Sequence, residues 1–301
     1  MGGAVIVVAR RRLDKLRLLK TYPTKYWKSK WKESWGVAKD FVKSGDLLQK
    51  TSKWRTTFWT KYPGTGDFSN LRIEFAASQK GLTAAIDFTP KKLTSDEWAD
   101  VRGFLDTIFG VGDVWSDFRI QVMEIAIDIE QPMSNFIFVA EGLSVLNATY
   151  LQKGTMYLGS KYGHRSFCIY DKQKQLAEEK KVQLAGPRTR IEARLRGMQV
   201  TLKQLLEIQN PFGSLLAVPR ERLDQIKAAH PTDPVFSAFR SSIQKGLTGH
   251  DAYWMYSTEA RKHLLKRLRP HSLKLNTSPS AHKHWSEWVQ RELKYLAANL
   301  K

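Results

Sequence analysis

The sequence predicts an α+β fold: a central antiparallel sheet with flanking helices, a basic N-terminal segment and a basic, helical C-terminal region. Three observations predict it. Apolar residues alternate with polar ones in several short runs after residue 70, most of these runs are separated by short loops, and helical periodicity with capping signals appears between and after them. The 301 residues exceed the ~100–200 typical of one domain, which leaves room for a good core and a smaller second unit. The expected divisions are a Trp-rich basic segment over residues 1–65, a central domain over 66–200 and a mostly helical region over 201–301.

The elements follow in chain order. Trp27, Trp31 and Trp35 recur at i, i+4 and i+8 among Lys25, Lys28, Lys30 and Lys32, which places one aromatic stripe on a basic helix. Such a stripe either stacks the bases of single strands or docks on the central domain with its lysines in solvent, and docking is the preferred reading. Trp54 and Trp59 precede the turn signal Tyr62-Pro63-Gly64 and receive no role. Leu71, Ile73 and Phe75 alternate with Arg72 and Glu74, and Gly81 turns the chain into residues 82–89, so this stretch reads as a hairpin. Thr94 and Glu97 form a capping-box pattern ahead of a helix with Trp98, Val101, Leu105 and Ile108 on one face and Gly110 at its stop. A long strand is expected over 118–130 and shorter ones over 136–140, 155–158, 166–170 and 189–195. Helices over 171–183 and 200–208 and a helical tail after about residue 250 complete the arrangement.

Charge narrows the partners. Forty-nine Lys and Arg against 29 Asp and Glu give a formal charge of +20, which favours a polyanion such as nucleic acid or an anionic membrane surface. The excess sits at the ends: residues 1–55 hold 15 basic and 4 acidic residues, residues 251–301 hold 10 and 4, and the middle holds 24 and 21. Both ends are therefore expected to grip phosphates. The apolar run over residues 4–9 is far short of the ~20 residues of a spanning helix. The Arg10-Arg11-Arg12 cluster follows it instead of preceding it, unlike a signal peptide, and Ile6 stands where a myristoylation signal has Ser or Thr. The expectation is a cytoplasmic protein with no membrane partner. Cys168 is the single cysteine, so an intrachain disulfide and a thiolate metal site are excluded, and it is expected as a small buried strand residue.

Three strands carry polar side chains in step. In Glu124-Ile125-Ala126-Ile127-Asp128-Ile129-Glu130 the isoleucines share one face and Glu124, Asp128 and Glu130 the other. Glu124 and Asp128 are about 13 Å apart along such a strand, too far for one metal ion to take both. Arg190, Glu192 and Arg194 likewise share a face opposite Ile191, Ala193 and Leu195. Between these strands, residues 155–172 read as strand, basic glycine-containing turn and strand, ending in Tyr170-Asp171-Lys172.

These blocks resemble the signature of the replication initiation factor family, the rolling-circle initiators of small plasmids and related phages. That family has an acidic Asp-x-Ala-x-Asp strand, then an aromatic-Gly-Ser-basic turn leading to an Arg-Ile-Tyr-Asp/Asn-Lys strand, then an Arg-x-Glu strand. Here they match Glu124 to Asp128, Tyr157 to Lys172, and Arg190 to Glu192, in the same order. The resemblance spans roughly residues 70–200. Glu124 departs from the usual Asp, Val122 and Cys168 stand where the family tends to have Arg, and Gln175 where a Glu often follows.

The resemblance implies a metal-dependent tyrosine nickase and strand transferase. Tyr170 would attack a phosphodiester at a replication origin, leaving a covalent 5′-phosphotyrosine and a free 3′ hydroxyl, with Lys172 favouring the phenolate. Mg²⁺ or Mn²⁺ would be held by Asp128 and Glu192, with Glu124 as a weaker candidate. Lys161, Arg165, Arg190 and Arg194 would hold the DNA backbone near the site, and Lys28 and Lys32 on the basic N-terminal helix would contact it elsewhere. Tyr162, in the turn, is the competing nucleophile. The implied partner is origin DNA, single- and double-stranded; a host helicase and a second copy of the chain stay open as further partners. The alternative is a DNA-binding relative without catalysis, or a replicon regulator.

Overall fold

The computed structural model describes residues 8–23, 25–60, 71–78, 81–90, 93–143, 151–152, 154–160, 162–180, 186–273, 275 and 281–300. The chain forms two compact units that interleave along the sequence instead of dividing at residues 65 and 200. The first comprises Arg12–Ile125, Leu195–Gln209 and Ser286–Lys301, and the second Met1–Arg11, Ala126–Arg194 and Asn210–Trp285. The fold class is α+β, and every strand pair whose register is described is antiparallel.

The first unit contains most of β1 (Val8–Tyr22), helix α1 (Lys25–Lys43), and strands β2 (Leu47–Ser52), β3 (Arg55–Thr60), β4 (Leu71–Ser78) and β5 (Gly81–Phe88). Helices α2 (Ser95–Phe109) and α3 (Asp113–Ser116) follow, then the first part of β6 (Arg119–Ile129). Its strand order is β2-β3-β4-β5-β1-β6. The hairpin expected after residue 70 is β4–β5, paired from Leu71↔Phe88 to Ser78↔Gly81. The aromatic stripe docks: Trp31 donates its Nε1–H to the Thr83 carbonyl at 2.9 Å, stacks on Trp35 and meets Phe75 edge-on. The side chain of Trp27 lies outside the described residues.

Helix α2 starts as its sequence dictates. The Glu97 N–H donates to Thr94 Oγ1 at 3.3 Å while the Thr94 N–H donates to Glu97 Oε2 at 2.7 Å, satisfying two end donors reciprocally. It stops at Gly110, whose φ of +102° suits a residue without a side chain. Trp98, Val101, Leu105, Ile108 and Phe109 are its buried face. Strands β1, β2 and β3 are additions to the expectation for this stretch. In β3 the alternation was present, with Thr56, Phe58 and Thr60 buried, whereas β1 hides its pattern behind six Lys and Arg.

The second unit takes over at Ala126 in the middle of β6. It adds β7 (Phe136–Ala140), β8 (Leu151–Gln152), β9 (Thr155–Leu158), β10 (Arg165–Asp171), α4 (Lys172–Lys180) and β11 (Thr189–Arg196), whose last two residues belong to the first unit. Its main strand order is β6-β11-β10-β9-β8. Residues 200–208, expected as an α-helix, contain instead a 3₁₀ helix over Leu202–Glu207 that belongs to the first unit.

Three elements the sequence reading did not place complete the second unit: β12 (Leu215–Pro219), α5 (Arg222–Ala229) and α6 (Pro234–Gln244). Strand β12 pairs with β7 in a separate two-stranded sheet. The helical tail supplies α7 (Gly249–Trp254) and α8 (Thr258–Leu268), and α9 (Ala281–Leu300) extends mostly into the first unit. Ile137, Val139 and Val218 of the small sheet share one core with Ile226, Phe236, Phe239 and Leu264 of the helices. Helix α7 lies so close to β7 that a Cβ on Gly249 would overlap Ile137 Cγ2.

His250 is buried at this contact and its Nδ1 accepts the Ala140 N–H at 3.3 Å, so the neutral ring with its proton on Nε2 is the form that fits. Burial holds the imidazole down to about 4, against the opposing pull of Asp251, whereas an unfolded histidine titrates near ~6.5. A depressed histidine contributes stability that is complete above the unfolded pKa and is lost as pH falls toward the folded one. Urea unfolding across this range should therefore lose roughly 2–3 kcal/mol between pH 7 and pH 4 through this group. His250→Gln should lose correspondingly less over the same interval, and equal losses in the two proteins would contradict the assignment.

Candidate active site

The polar face of β6, β11 and β10 in the second unit gathers the charged side chains. Side-chain parity explains the placement. Ile127, Ile129, Ile191, Ala193 and Ile169 are buried on one face, so Asp128, Arg190, Glu192, Arg194 and Tyr170 fall on the other. Arg190 donates from Nε to Asp128 Oδ1 at 2.7 Å and from Nη2 to Oδ2 at 2.9 Å. The two side chains are 8% and 4% exposed, so this is a buried bidentate pair, strong in geometry and intolerant of losing one partner.

Beside it, the Tyr170 hydroxyl donates to Glu192 Oε1 at 2.6 Å. Arg194 Nη2 holds the other oxygen, Oε2, at 3.2 Å. Burial first, and then the Glu192 carboxylate, push the Tyr170 hydroxyl above the ordinary tyrosine range, with Arg190 opposing. The ring is therefore a neutral hydrogen-bond donor at pH 7, aimed at a group able to take its proton. Lys172 Nζ stands 5.6 Å from the centre of the Tyr170 ring and donates to Gln175 Oε1 at 2.7 Å. Cys168 is buried in β10 as expected, two residues from Tyr170 and paired in register with Tyr157 of β9.

Two further candidates lie in the turn between β9 and β10 and at the start of β10. Tyr162 is 85% exposed. Arg165 is half-buried and donates to the Glu141 carbonyl at 3.4 Å, and burial draws its guanidinium below the usual arginine range. Among the described residues its buried Nε has no hydrogen-bond partner. Lys161 lies outside the described residues. Glu124, on the earlier part of β6, and the exposed Lys28 and Lys32 belong to the first unit.

As arranged, these donors do not fit a divalent ion. Both Asp128 oxygens are engaged by Arg190, and the Glu192 oxygens by Tyr170 and Arg194. Among the described residues no group of three or more His, Cys, Asp or Glu is placed to hold a metal.

The segment around this site also has a counterpart among known families. Residues 136–217 match the family model described as replication initiation factor. Over this segment the chain is similar to the replication initiation factors, in keeping with the resemblance seen in the sequence. The match covers roughly a quarter of the chain, including Tyr157 to Lys172 and Arg190 to Glu192, and begins after the acidic strand. No curated protein matches the chain. Among solved structures, DynU16, a protein of the dynemicin biosynthetic locus, is similar at 12% identity over 60% of this chain and 86% of its own. Its TM-score of 0.20 carries no argument about fold or function. Among the described residues no helix is long and apolar enough to cross a membrane.

The sequence reading missed Arg188, which reaches Glu130 at 3.7 Å and whose carbonyl accepts the Lys172 N–H at 2.8 Å. Its position two residues before Arg190 was the available signal. The buried pair makes a stability prediction. Asp128→Ala should cost about 3–5 kcal/mol in urea unfolding because it strands a buried guanidinium, whereas Asp128→Ala combined with Arg190→Met should recover most of that loss. Additive losses in the double variant would show that the pair is not coupled.

Proposed function

We propose that this protein starts rolling-circle DNA replication by cutting one strand at an origin with Tyr170. The observation that carries this reading is the 2.6 Å hydrogen bond from the Tyr170 hydroxyl to Glu192, inside the segment that matches the replication initiation factors. A protonated tyrosine needs a base at the moment of attack, and Glu192 is already its acceptor. In the proposed step Tyr170 Oη bonds to the phosphorus as its proton passes to Glu192. The bond to the 3′ oxygen breaks, that oxygen takes a proton from water, Glu192 gives its own proton to the hydroxide so formed, and a 5′-phosphotyrosine remains. Arg194 and Lys172 would offset the charge that grows on the phosphate oxygens, and Arg165, at the far end of β10, would hold the DNA backbone farther along.

Arg190 positions the site through Asp128 and is not assigned to the phosphate. No step runs through a metal, because the carboxylates are committed to other partners. Rejoining would be the reverse reaction, with a 3′ hydroxyl attacking the phosphotyrosine. Origin DNA is the proposed partner in both single- and double-stranded form, and a host helicase ahead of the 3′ end and pairing with a second copy belong to the same proposal.

Tyr162 supports a second reading, since its exposure gives a phosphodiester direct access that the buried Tyr170 lacks without movement of its surroundings. The test is nicking of a supercoiled plasmid carrying this protein's own gene, with Mg²⁺, with Mn²⁺ and with chelator. Tyr170→Phe should abolish nicking while costing about 1–2 kcal/mol of stability, and Tyr162→Phe should nick as wild type does. Glu192→Gln should slow nicking by about 100-fold, the usual worth of a positioned base. Retained nicking by Tyr170→Phe together with its loss in Tyr162→Phe would move the nucleophile to the turn. Loss of wild-type nicking in chelator would return a divalent ion to the reaction.

A further inference from the structure

Away from Tyr170, the helical part of the second unit builds a second concentration of positive charge. Asp233 is buried and caps α6, with Oδ1 accepting the Phe236 N–H at 3.0 Å. Its Oδ2 takes His263 Nε2 at 2.6 Å and Arg267 Nε at 3.0 Å, which fixes two successive turns of α8 against the start of α6. Burial works against the ionised form of Asp233, but the Phe236 N–H, His263 and Arg267 together hold its carboxyl down to about 2. It is therefore an anion at any working pH, spent on orienting Arg267.

Arg267 points its Nη1 to His230 Nε2 at 3.2 Å. A guanidinium only donates, so Nε2 is the acceptor and the His230 proton lies on Nδ1, leaving Nδ1–H to donate elsewhere. His271, just beyond α8, feels both Arg222 and His230: burial, then these two neighbours, draw its imidazole below the ordinary histidine range. Arg222 is half-buried at the start of α5 and donates to Gln225. Asp224, the acidic residue two positions on, is engaged by Arg240 at 2.6 Å. Arg267 and His230 are thus in direct contact, the charges of Arg222 and His230 reach His271, and Asp233 and Asp224 are committed to other partners. Lys262 and Lys266 continue the positive surface along the exposed side of α8.

Holding like-charged and easily charged groups together costs free energy that a bound anion would return. We propose that Arg222, His230, Arg267 and His271 form a phosphate-binding site on the second unit, and that its ligand is a backbone phosphate of duplex DNA. Arg267 and His230 supply a fixed pair of donors, and Arg222 and His271 close the site from α5 and from the end of α8. The inference rests on the DNA-binding half of the proposed function and is independent of Tyr170.

The experiment uses the full chain and two probes: a fluorescent mixed-sequence DNA duplex followed by anisotropy over a salt series, and inorganic phosphate. Arg222→Gln and His271→Gln should each weaken duplex binding by about 3- to 10-fold and reduce the log–log salt slope by about 0.9, the loss of one phosphate contact. Arg240→Gln, whose guanidinium is engaged by Asp224, should leave the slope unchanged. In wild type, the His271 imidazole resonance should shift with the duplex and with millimolar phosphate. Unchanged affinity and slope in both variants would overturn the proposal, as would a His271 resonance that neither probe moves. A shift with inorganic phosphate alone would overturn the duplex as ligand in favour of a free phosphate. Absence of any duplex binding by wild type would instead remove the DNA-binding premise, a distinct result.

Discussion

A guanidinium buried in a sheet must meet a carboxylate, and the rest of the candidate site depends on how Arg190 meets Asp128. The bidentate contact ties β11 to β6. A one-residue slip of either strand would turn Asp128 or Arg190 onto the apolar face with the isoleucines and leave an unpaired charge in the core. The same parity that protects the pair brings Glu192 beside Tyr170 of β10 and leaves Arg194 to hold the second Glu192 oxygen. The network that specifies register is therefore also the one that gives Tyr170 its proton acceptor.

Much of this was legible in the sequence because it depends on short periodicities. The capping box at Thr94, the hairpin after residue 70, the edges of β7 and β9 and the polar face of β11 follow from residue types at spacings of two, three and four. What the sequence could not supply was partnership. A carboxylate at 128 on a face with other acids suits a metal ligand as well as an arginine partner, and only the adjacency of β11 distinguishes them. Helix α5 and the proposed site of Arg222, His230, Arg267 and His271 escaped for a related reason: their residues lie up to 49 positions apart, and Arg267 is oriented by Asp233, which alone reads as an ordinary helix cap. Strand β1 escaped because its arginines and lysines conceal the alternation of Leu16, Leu18 and Tyr22, all buried.

The positive charge also has more than one use. In the first unit, Arg17 and Arg72 converge on the buried Glu74, Arg55 stands 3.4 Å from it, and Arg17 also meets Asp87. These arginines neutralise carboxylates at the sheet and are not counted among the phosphate contacts. Arg55 and Lys20 show how far the basic N-terminal stretch is built into the structure, the latter bridging to Asp117 at 2.9 Å. Lys28 and Lys32 on α1, by contrast, are exposed beside a docked tryptophan pair and keep their charge for solvent or a ligand.

The central claim is that the tyrosine held by Glu192 is the one that takes the phosphate. The most direct measurement is to trap wild-type protein on a radiolabelled origin strand, digest the covalent complex and locate the nucleotide by mass spectrometry. The account predicts a nucleotidyl peptide carrying the modification on Tyr170. A nucleotide attached to Tyr162, or no covalent complex with DNA that demonstrably needs this protein to replicate, would contradict it.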